Sequence, residues 1–395
     1  MIQDDPVVIA GYARTPMGGF QGAFASVKAI DLGAAAVRAA VERAKAPVEA
    51  IERIYMGCVL PAGLGQAPAR QAALIAGLPL SVEATTVNKM CGSGMQAAIM
   101  AQEALASGAV DIVVAGGMES MTNAPYALPK HRGGARIGHD RIIDTMMMDG
   151  LEDAYEPGKA MGAFAEEAVR EYQFTREDQD RFAIRSLERA NAAISSGAFA
   201  GEITPVTVPR RGGDVIIDTD EQPGKAKPAN IPNLKPAFVK DGTITPANAS
   251  SISDGAAALV MTRASVAARL GMPVLATVRA SAAHAHEPAK FTTAPAPAIR
   301  KALEKAGWSA DDVDLFEVNE AFAVVAMIAA RDIGIPDEKL NVNGGATALG
   351  HPIGASGARI IATLIAALQN RGLKRGVASL CIGGGEATAM AIELN

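Results

Sequence analysis

Two stretches of this chain share one pattern of apolar and polar positions. AVRAAVERAKAPVEAIERIYMG (residues 36–57) and AIRKALEKAGWSADDVDLFEVN (residues 298–319) align without gaps at an offset of 262. In each, apolar residues recur at helical spacing, a short turn follows, and a run of strand length closes the unit. A second echo lies further along. Val87-Asn88, a glycine-rich turn, a long apolar helix and VVAGGMES (113–120) match Val342-Asn343, HPIGASG, another long helix and SLCIGGGEA (379–387). The chain therefore reads as two related halves. Short apolar runs alternating with period-3.6 segments predict an α/β fold, each half holding one mixed sheet between helices.

Residues 121–249 break the pattern. They carry FTREDQDRFAIRSLERANAAI, an amphipathic helix, and the lysine- and proline-rich DEQPGKAKPANIPNLKPAF. The expected organisation is an N-terminal half of residues 1–120 plus 250–271, an inserted loop domain of 121–249 that closes over the active site, and a C-terminal half of 272–395. The apolar run Ile360 to Leu368, between Arg359 and Arg371, is far short of the ~20 residues of a membrane span and predicts a buried helix.

Composition narrows the class. The 395 residues are 49% hydrophobic and 20% charged, as in a soluble globular protein with two or three core-bearing units. The net charge of −5, with both signs interspersed, gives no footprint for nucleic acid or an anionic membrane. MIQDDPVVIAGYARTP lacks a basic n-region and an apolar h-region, so a cytoplasmic protein is expected. Cys58, Cys91 and Cys381 form no CxxC pair, which disfavours zinc and structural disulfides. The remaining use of cysteine is thiolate chemistry.

Cys91 stands before Gly-Ser-Gly and a helical pattern, so its sulfur is expected at a helix N-terminus, where the dipole lowers a thiol pKa. His351, between Gly350 and Pro352 ahead of another helix, could deprotonate it and hydrogen-bond a thioester oxygen. Cys381 ends an apolar strand before Gly383 to Gly385, whose N–H groups suit an oxyanion, and its thiol could move a proton beside a thioester carbonyl. Asn319 could hold a water or a substrate oxygen; Glu320 could orient the site or only pair structurally. Cys58 reads as a packed strand thiol, and His131, His139, His284 and His286 as solvated side chains.

At these residues the chain resembles the thiolase superfamily, and within it the acetyl-CoA C-acetyltransferases and 3-ketoacyl-CoA thiolases. The resemblance runs from ARTP to GGGEATAMAIEL through NKMCGSGMQA, GGMESM, NEAF, NGGATALGHPIGASGAR and CIGGG. It implies two αβαβα halves in five layers with a loop domain, assembled as dimers or tetramers. It implies that Cys91 carries the acyl group and that His351 activates it in a ping-pong Claisen condensation and its reverse thiolysis. Cys381 is the implied second-step acid and base. Asn319, through a water, and His351 would hold the enolate oxygen, and the N–H groups of Cys91 and Gly383 the other oxyanion. Met161, Phe238, Ser250, Phe291 and Ala321 are the implied substrate-binding residues, with Lys225 and Lys227 towards the nucleotide phosphates. Coenzyme A thioesters are substrates in this scheme, with no cofactor and no metal.

Departures from the pattern touch the acyl pocket. Ala160 stands where many acetoacetyl-CoA thiolases have histidine, Phe291-Thr292 where they have Met-Gly, and Ala124-Pro125-Tyr126 where they have APH. These raise longer or 2-methyl-branched 3-ketoacyl chains as substrates. The competing readings are a thiolase-like protein that binds acyl-CoA or lipid without condensing it, a decarboxylating ketoacyl synthase, and a redox role through a Cys91–Cys381 disulfide.

Overall fold

The computed structural model describes residues 5–395. Nine strands follow one another across a sheet in the order Leu315–Val318, Arg375–Ile382, Glu386–Glu393, Ala276–Ala285, Val7–Arg14, Ser253–Arg263, Ile112–Ser120, Arg53–Gly57 and Glu83–Val87. The short strand Gly18–Gly19 adds to Ser253–Arg263. Arg53–Gly57 runs parallel to both its neighbours and Leu315–Val318 parallel to Arg375–Ile382; the other ladders are antiparallel. The expected two sheets are thus joined edge to edge, by two residue pairs only, Val8 with Thr277 and Ile9 with Ala276. Each joining strand bulges at the matching place. Pairing skips Ala10 between Ile9 and Gly11, and Arg279 between Val278 and Ala280.

Five layers pack through three main cores, the middle one covering both faces of the central helices. Helices Ala29–Ala44 and Pro68–Ala76 pack on the outer face of the first half's strands, burying Val37, Ile54 and Val114. Helices Pro295–Ala306 and Ala323–Ile333 cover the second half in the same way, through Ile299, Val377 and Ala389. Between the halves lie helices Ser93–Ala106 and Ser356–Arg371, packed with Val113, Leu380 and Ile392. Strand alternation sorts side chains between cores: Ile112 and Val114 point outward, Val113 and Ala115 inward. Every residue from Ser356 to Leu368 is buried, as the apolar run predicts.

The central helices meet through glycine. A Cβ on Gly357 would lie 2.3 Å from the Met95 nitrogen, and one on Gly94 2.8 Å from the Ala358 nitrogen. Backbones therefore approach closely near both N-termini, and the turns that precede them converge on one region.

Residues 121–249 contain the helices Met161–Tyr172 and Arg176–Ser196. The second starts at a capping box in which Thr175 and Asp178 bond each other's backbone N–H. Arg14 ties this segment to the sheet. Its Nε meets Glu202 at 2.6 Å and its two terminal nitrogens meet Asp220 at 2.7 and 2.8 Å, with all three side chains buried. Short bidentate bonds of this kind are what a buried guanidinium requires.

Candidate active site

Cys91 sits in the turn between strand Glu83–Val87 and helix Ser93–Ala106. Met90, just before it, has a left-handed φ of 46°, which costs a non-glycine residue about 1–2 kcal/mol. The turn is fixed from several sides. Met90 N–H donates to Asn88 Oδ1 (3.0 Å), Lys89 N–H to Ser93 Oγ (2.9 Å), and Ser93 Oγ to the Met90 carbonyl (2.6 Å). The N–H groups of Gly383 and of Cys91 itself favour the thiolate, but they lose. Burial dominates and pushes the Cys91 thiol up to about 11, the reverse of the lowering expected from a helix N-terminus. Desolvation of the anion outweighs the donors and the dipole in this apolar setting.

His351 follows Gly350, whose φ of 106° and close approach to Ser253 Oγ (2.2 Å from an added Cβ) leave room for glycine alone. The ring is buried and its pKa is depressed to about 3, by burial first and then by the Arg359 charge. Its tautomer follows from its neighbours. Ser356 Oγ gives its one hydrogen to the Pro352 carbonyl (3.0 Å), so at 2.6 Å it accepts from Nδ1, which leaves Nε2 with a lone pair. Burial disfavours both ions of a Cys91–His351 pair, so at rest the sulfur keeps its proton and the imidazole is neutral.

Cys381 is buried near the end of strand Arg375–Ile382, its thiol held well above the ordinary range by burial and by the neighbouring Cys91. Asn319, one residue past strand Leu315–Val318, is buried with its Nδ2 over the face of the His351 ring, 3.4 Å from Nε2 and 3.5 Å from Nδ1.

One cavity of about 370 Å³ collects Cys91, His351, Cys381 and Gly383 together with Met161, Phe238, Ser250, Phe291 and Ala321. Asn319 lies behind the His351 ring. Lys225 and Lys227 line a second cavity of about 440 Å³ that shares Pro246 and Ser251 with the first. Lys225 also forms an ion pair with Glu221.

Other sequence candidates lie elsewhere. Glu320 accepts bonds from Ser186, Asn341 and Thr347 and so anchors the loop leading to His351. Cys58 is buried against Glu119, its pKa raised by burial and that carboxylate. His131 faces Asp140, and His284 and His286 stack edge to face at 5.0 Å.

The sequence reading missed three supports. Ser356 sets the His351 tautomer. Glu119 accepts the N–H groups of Val59, Leu60 and Gly354 and locks the turn after His351; its signal was a lone acid inside an all-buried strand. Met121, Met147 and Ile353 form an apolar wall that gave no signal.

A doubled five-layer α/β fold that brings a glycine-framed cysteine, a neutral imidazole and a second thiol into one apolar cavity defines a thiol-dependent acyl-transfer enzyme. Residues 7–265 match the thiolase N-terminal domain and residues 272–394 the thiolase C-terminal domain. The chain belongs to the thiolase family. It is 50% identical to acetyl-CoA acetyltransferase 2 of Arabidopsis thaliana over 98% of this chain and 97% of that one. It is 48% identical to the acetyl-CoA acetyltransferase of Cupriavidus necator over 98% and 99%. Its fold is similar to the Acat5 thiolase of Ascaris suum solved in complex with coenzyme A (TM-score 0.93, 42% identity, 99% and 100% covered). It is also similar to the Bacillus anthracis acetyl-CoA acetyltransferase (TM-score 0.96, 40% identity, 99% of each chain covered).

Proposed function

We propose that the protein is an acetyl-CoA C-acetyltransferase that condenses two acetyl-CoA to acetoacetyl-CoA and coenzyme A, and runs the reverse thiolysis, through an acyl-cysteine. The observation that carries this reading is the shared cavity of Cys91, Cys381, His351 and Gly383. His351 Nε2 takes the Cys91 proton as the sulfur attacks the thioester carbonyl, then passes it to the leaving coenzyme A sulfur. The N–H groups of Cys91 and Gly383 hold the oxyanion between these events.

In the second half-reaction Cys381 passes its thiol proton to His351 Nε2 and, as thiolate, takes the α-proton of a second acetyl-CoA. The carbanion attacks the acyl-Cys91 carbonyl, the released Cys91 sulfur takes its proton from His351, and Cys381 keeps the α-proton as its thiol. The elevated pKa that burial imposes on Cys381 makes its thiolate a strong base for this weak carbon acid. Asn319 Nδ2 and the Nε2–H of His351, while it holds the Cys381 proton, stabilise the enolate oxygen.

The adjoining cavity with Lys225 and Lys227 suits the nucleotide end of coenzyme A, with Met161, Phe238 and Ser250 along the pantetheine arm. We retain the division into halves and an inserted segment at 121–249, and a homo-oligomer of two or four chains, supported by exposed Leu128, Ile137 and Ile142 on that segment. Two thiols that must stay reduced fit a cytoplasmic enzyme of acyl-CoA metabolism. No separate cofactor enters the scheme. Among the described residues, no helix is long and apolar enough to cross a membrane.

A second reading, preference for longer or 2-methyl 3-ketoacyl chains, is favoured by the apolar wall of Met121, Met147, Ala160, Phe291 and Ile353. Thiolysis tests both, following 3-ketoacyl-CoA absorbance with acetoacetyl-CoA, its 2-methyl derivative and 3-ketohexanoyl-CoA. The highest kcat/KM with acetoacetyl-CoA supports the first reading, and a higher value with either of the others the second. No turnover of any substrate rejects both.

A further inference from the structure

Arg359 is a charge in the first turn of a helix that is otherwise a thirteen-residue buried run from Ser356 to Leu368, and it is 1% exposed. Burying a guanidinium costs several kcal/mol unless its partners are close and well aligned. Arg14 meets that condition with contacts of 2.6 to 2.8 Å. Arg359 does not. One terminal nitrogen is 3.7 Å from Glu317 and has no hydrogen-bond partner, and the other is 3.4 Å from Asn319 Oδ1. Pairing energy is therefore a poor reason for the residue, and its contact with Asn319 offers a better one.

The two ends of an amide are nearly isosteric but opposite in function: Nδ2 donates and Oδ1 accepts. One end of the Asn319 amide rests on the face of the His351 ring, 3.4 Å from Nε2 and 3.5 Å from Nδ1, where the π electrons favour a donor. Arg359, which can only donate, faces the other end and forces it to be Oδ1. The contacts then point one way, from Arg359 to Asn319 Oδ1 and from Asn319 Nδ2 onto the face of the His351 ring, whose Nδ1 meets Ser356. With Arg359 removed, nothing on that side opposes a flip that would turn Oδ1 towards a developing enolate and repel it.

We infer that Arg359 is a positioning residue that locks the Asn319 amide with its N–H face towards the reacting enolate, and so serves the carbanion half-reaction and not acyl transfer. This rests on the proposed function. The test measures the half-reactions separately in the full-length protein. Exchange of labelled coenzyme A into acetyl-CoA reports acyl transfer through Cys91, and exchange of acetyl-CoA α-protons with deuterium oxide reports carbanion formation.

Arg359→Met is expected to keep acyl exchange within about twofold of wild type. It should slow α-proton exchange by at least about tenfold, towards the 10²–10³ that loss of one oxyanion donor costs. In an Asn319→Ala background the same substitution should add no further loss. If Arg359→Met does not fold, Arg359→Lys, which keeps the charge but not the planar fork, carries the test with the same split expected. Parallel loss of both exchanges, or an undiminished effect of the substitution in Asn319→Ala, would overturn the inference. Absence of both exchanges in the wild type would instead sink the proposed function, and this inference with it.

Discussion

The two halves place the same turn at the head of the same central helix and use it for opposite ends. In MCGSG and IGASG, Cys91 corresponds to Gly354, Ser93 to Ser356 and Gly94 to Gly357. The Gly354 turn is pressed onto the first half's strands. A Cβ on Gly57 or Gly117 would come within 2.5 or 2.0 Å of the Gly354 carbonyl oxygen, so backbone meets backbone and no space remains. The Cys91 turn faces a hollow. The residue corresponding to Gly57 at the offset of 262 is Asn319, behind the His351 ring, and Cys381 and Gly383 line the hollow. Small residues close one crossing and functional side chains open the other. A repeated scaffold becomes a one-sided catalyst by where it spends its glycines.

Removing the nucleophile should give the largest break in this asymmetry. Cys91→Ala is expected to lower coenzyme A exchange and overall turnover by about 10⁴-fold or more, because both pass through the acyl-cysteine; isotope exchange and thiolysis measure this directly. Cys381→Ala should spare coenzyme A exchange while slowing α-proton exchange by about 10²–10⁴, the usual contribution of a placed acid or base. Equal damage to both exchanges would show that the two thiols are not divided as the halves suggest.

The closed crossing is probed by volume. Gly357→Ala and Gly94→Ala each push a methyl into facing backbone and should destabilise by about 1–3 kcal/mol, seen as a lower denaturation midpoint. Gly357, with the closer contact, should suffer more.

The smallest expected effect, per step, is on pH dependence. His351 titrates near 3 when folded against an ordinary 6.5, so below pH 6.5 the unfolded chain takes up a proton that the folded one refuses. Stability from this residue is present above pH 6.5 and is lost as pH falls towards 3, by about 1.4 kcal/mol per pH unit. Glu119 and Glu317 act in the opposite sense, since burial raises them to about 7 and about 8. They are common to both proteins, so the difference in slope between wild type and His351→Asn in denaturant titrations isolates the histidine.

Legibility followed physical cause. Helix Arg176–Ser196, the helix pair at offset 262 and the buried run after Arg359 were readable because periodicity and caps are local. Cys91, His351 and Cys381 were readable because glycine frames mark places where backbone nears a ligand. The direction of the Cys91 pKa was not, because a helix start is visible in sequence while the apolar enclosure that overrides it is assembled from Met161, Phe291 and Ile353, far away in the chain. The left-handed turn at Met90 was equally hidden, being imposed by Ser93 and Asn88 on a residue with no preference for it. Glu119, Ser356 and Arg359 act through second partners, and a pairing has no signature at either residue alone. The join between sheets at Val8 and Ile9 is a contact of just this kind.

Strand Ser253–Arg263 lies between Val7–Arg14 and Ile112–Ser120, yet it is the last of the three to be synthesised. While residues 121 to 252 are being made, the two earlier strands each have an edge without its ladder. The nascent chain must keep these apolar edges apart from other chains until the middle strand arrives. Such long-range closure is slow and exposes sticky intermediates, which places the demand for chaperone protection on the first half and leaves the second, whose strands Arg375–Ile382 and Glu386–Glu393 are adjacent in sequence, to close quickly at the end of translation.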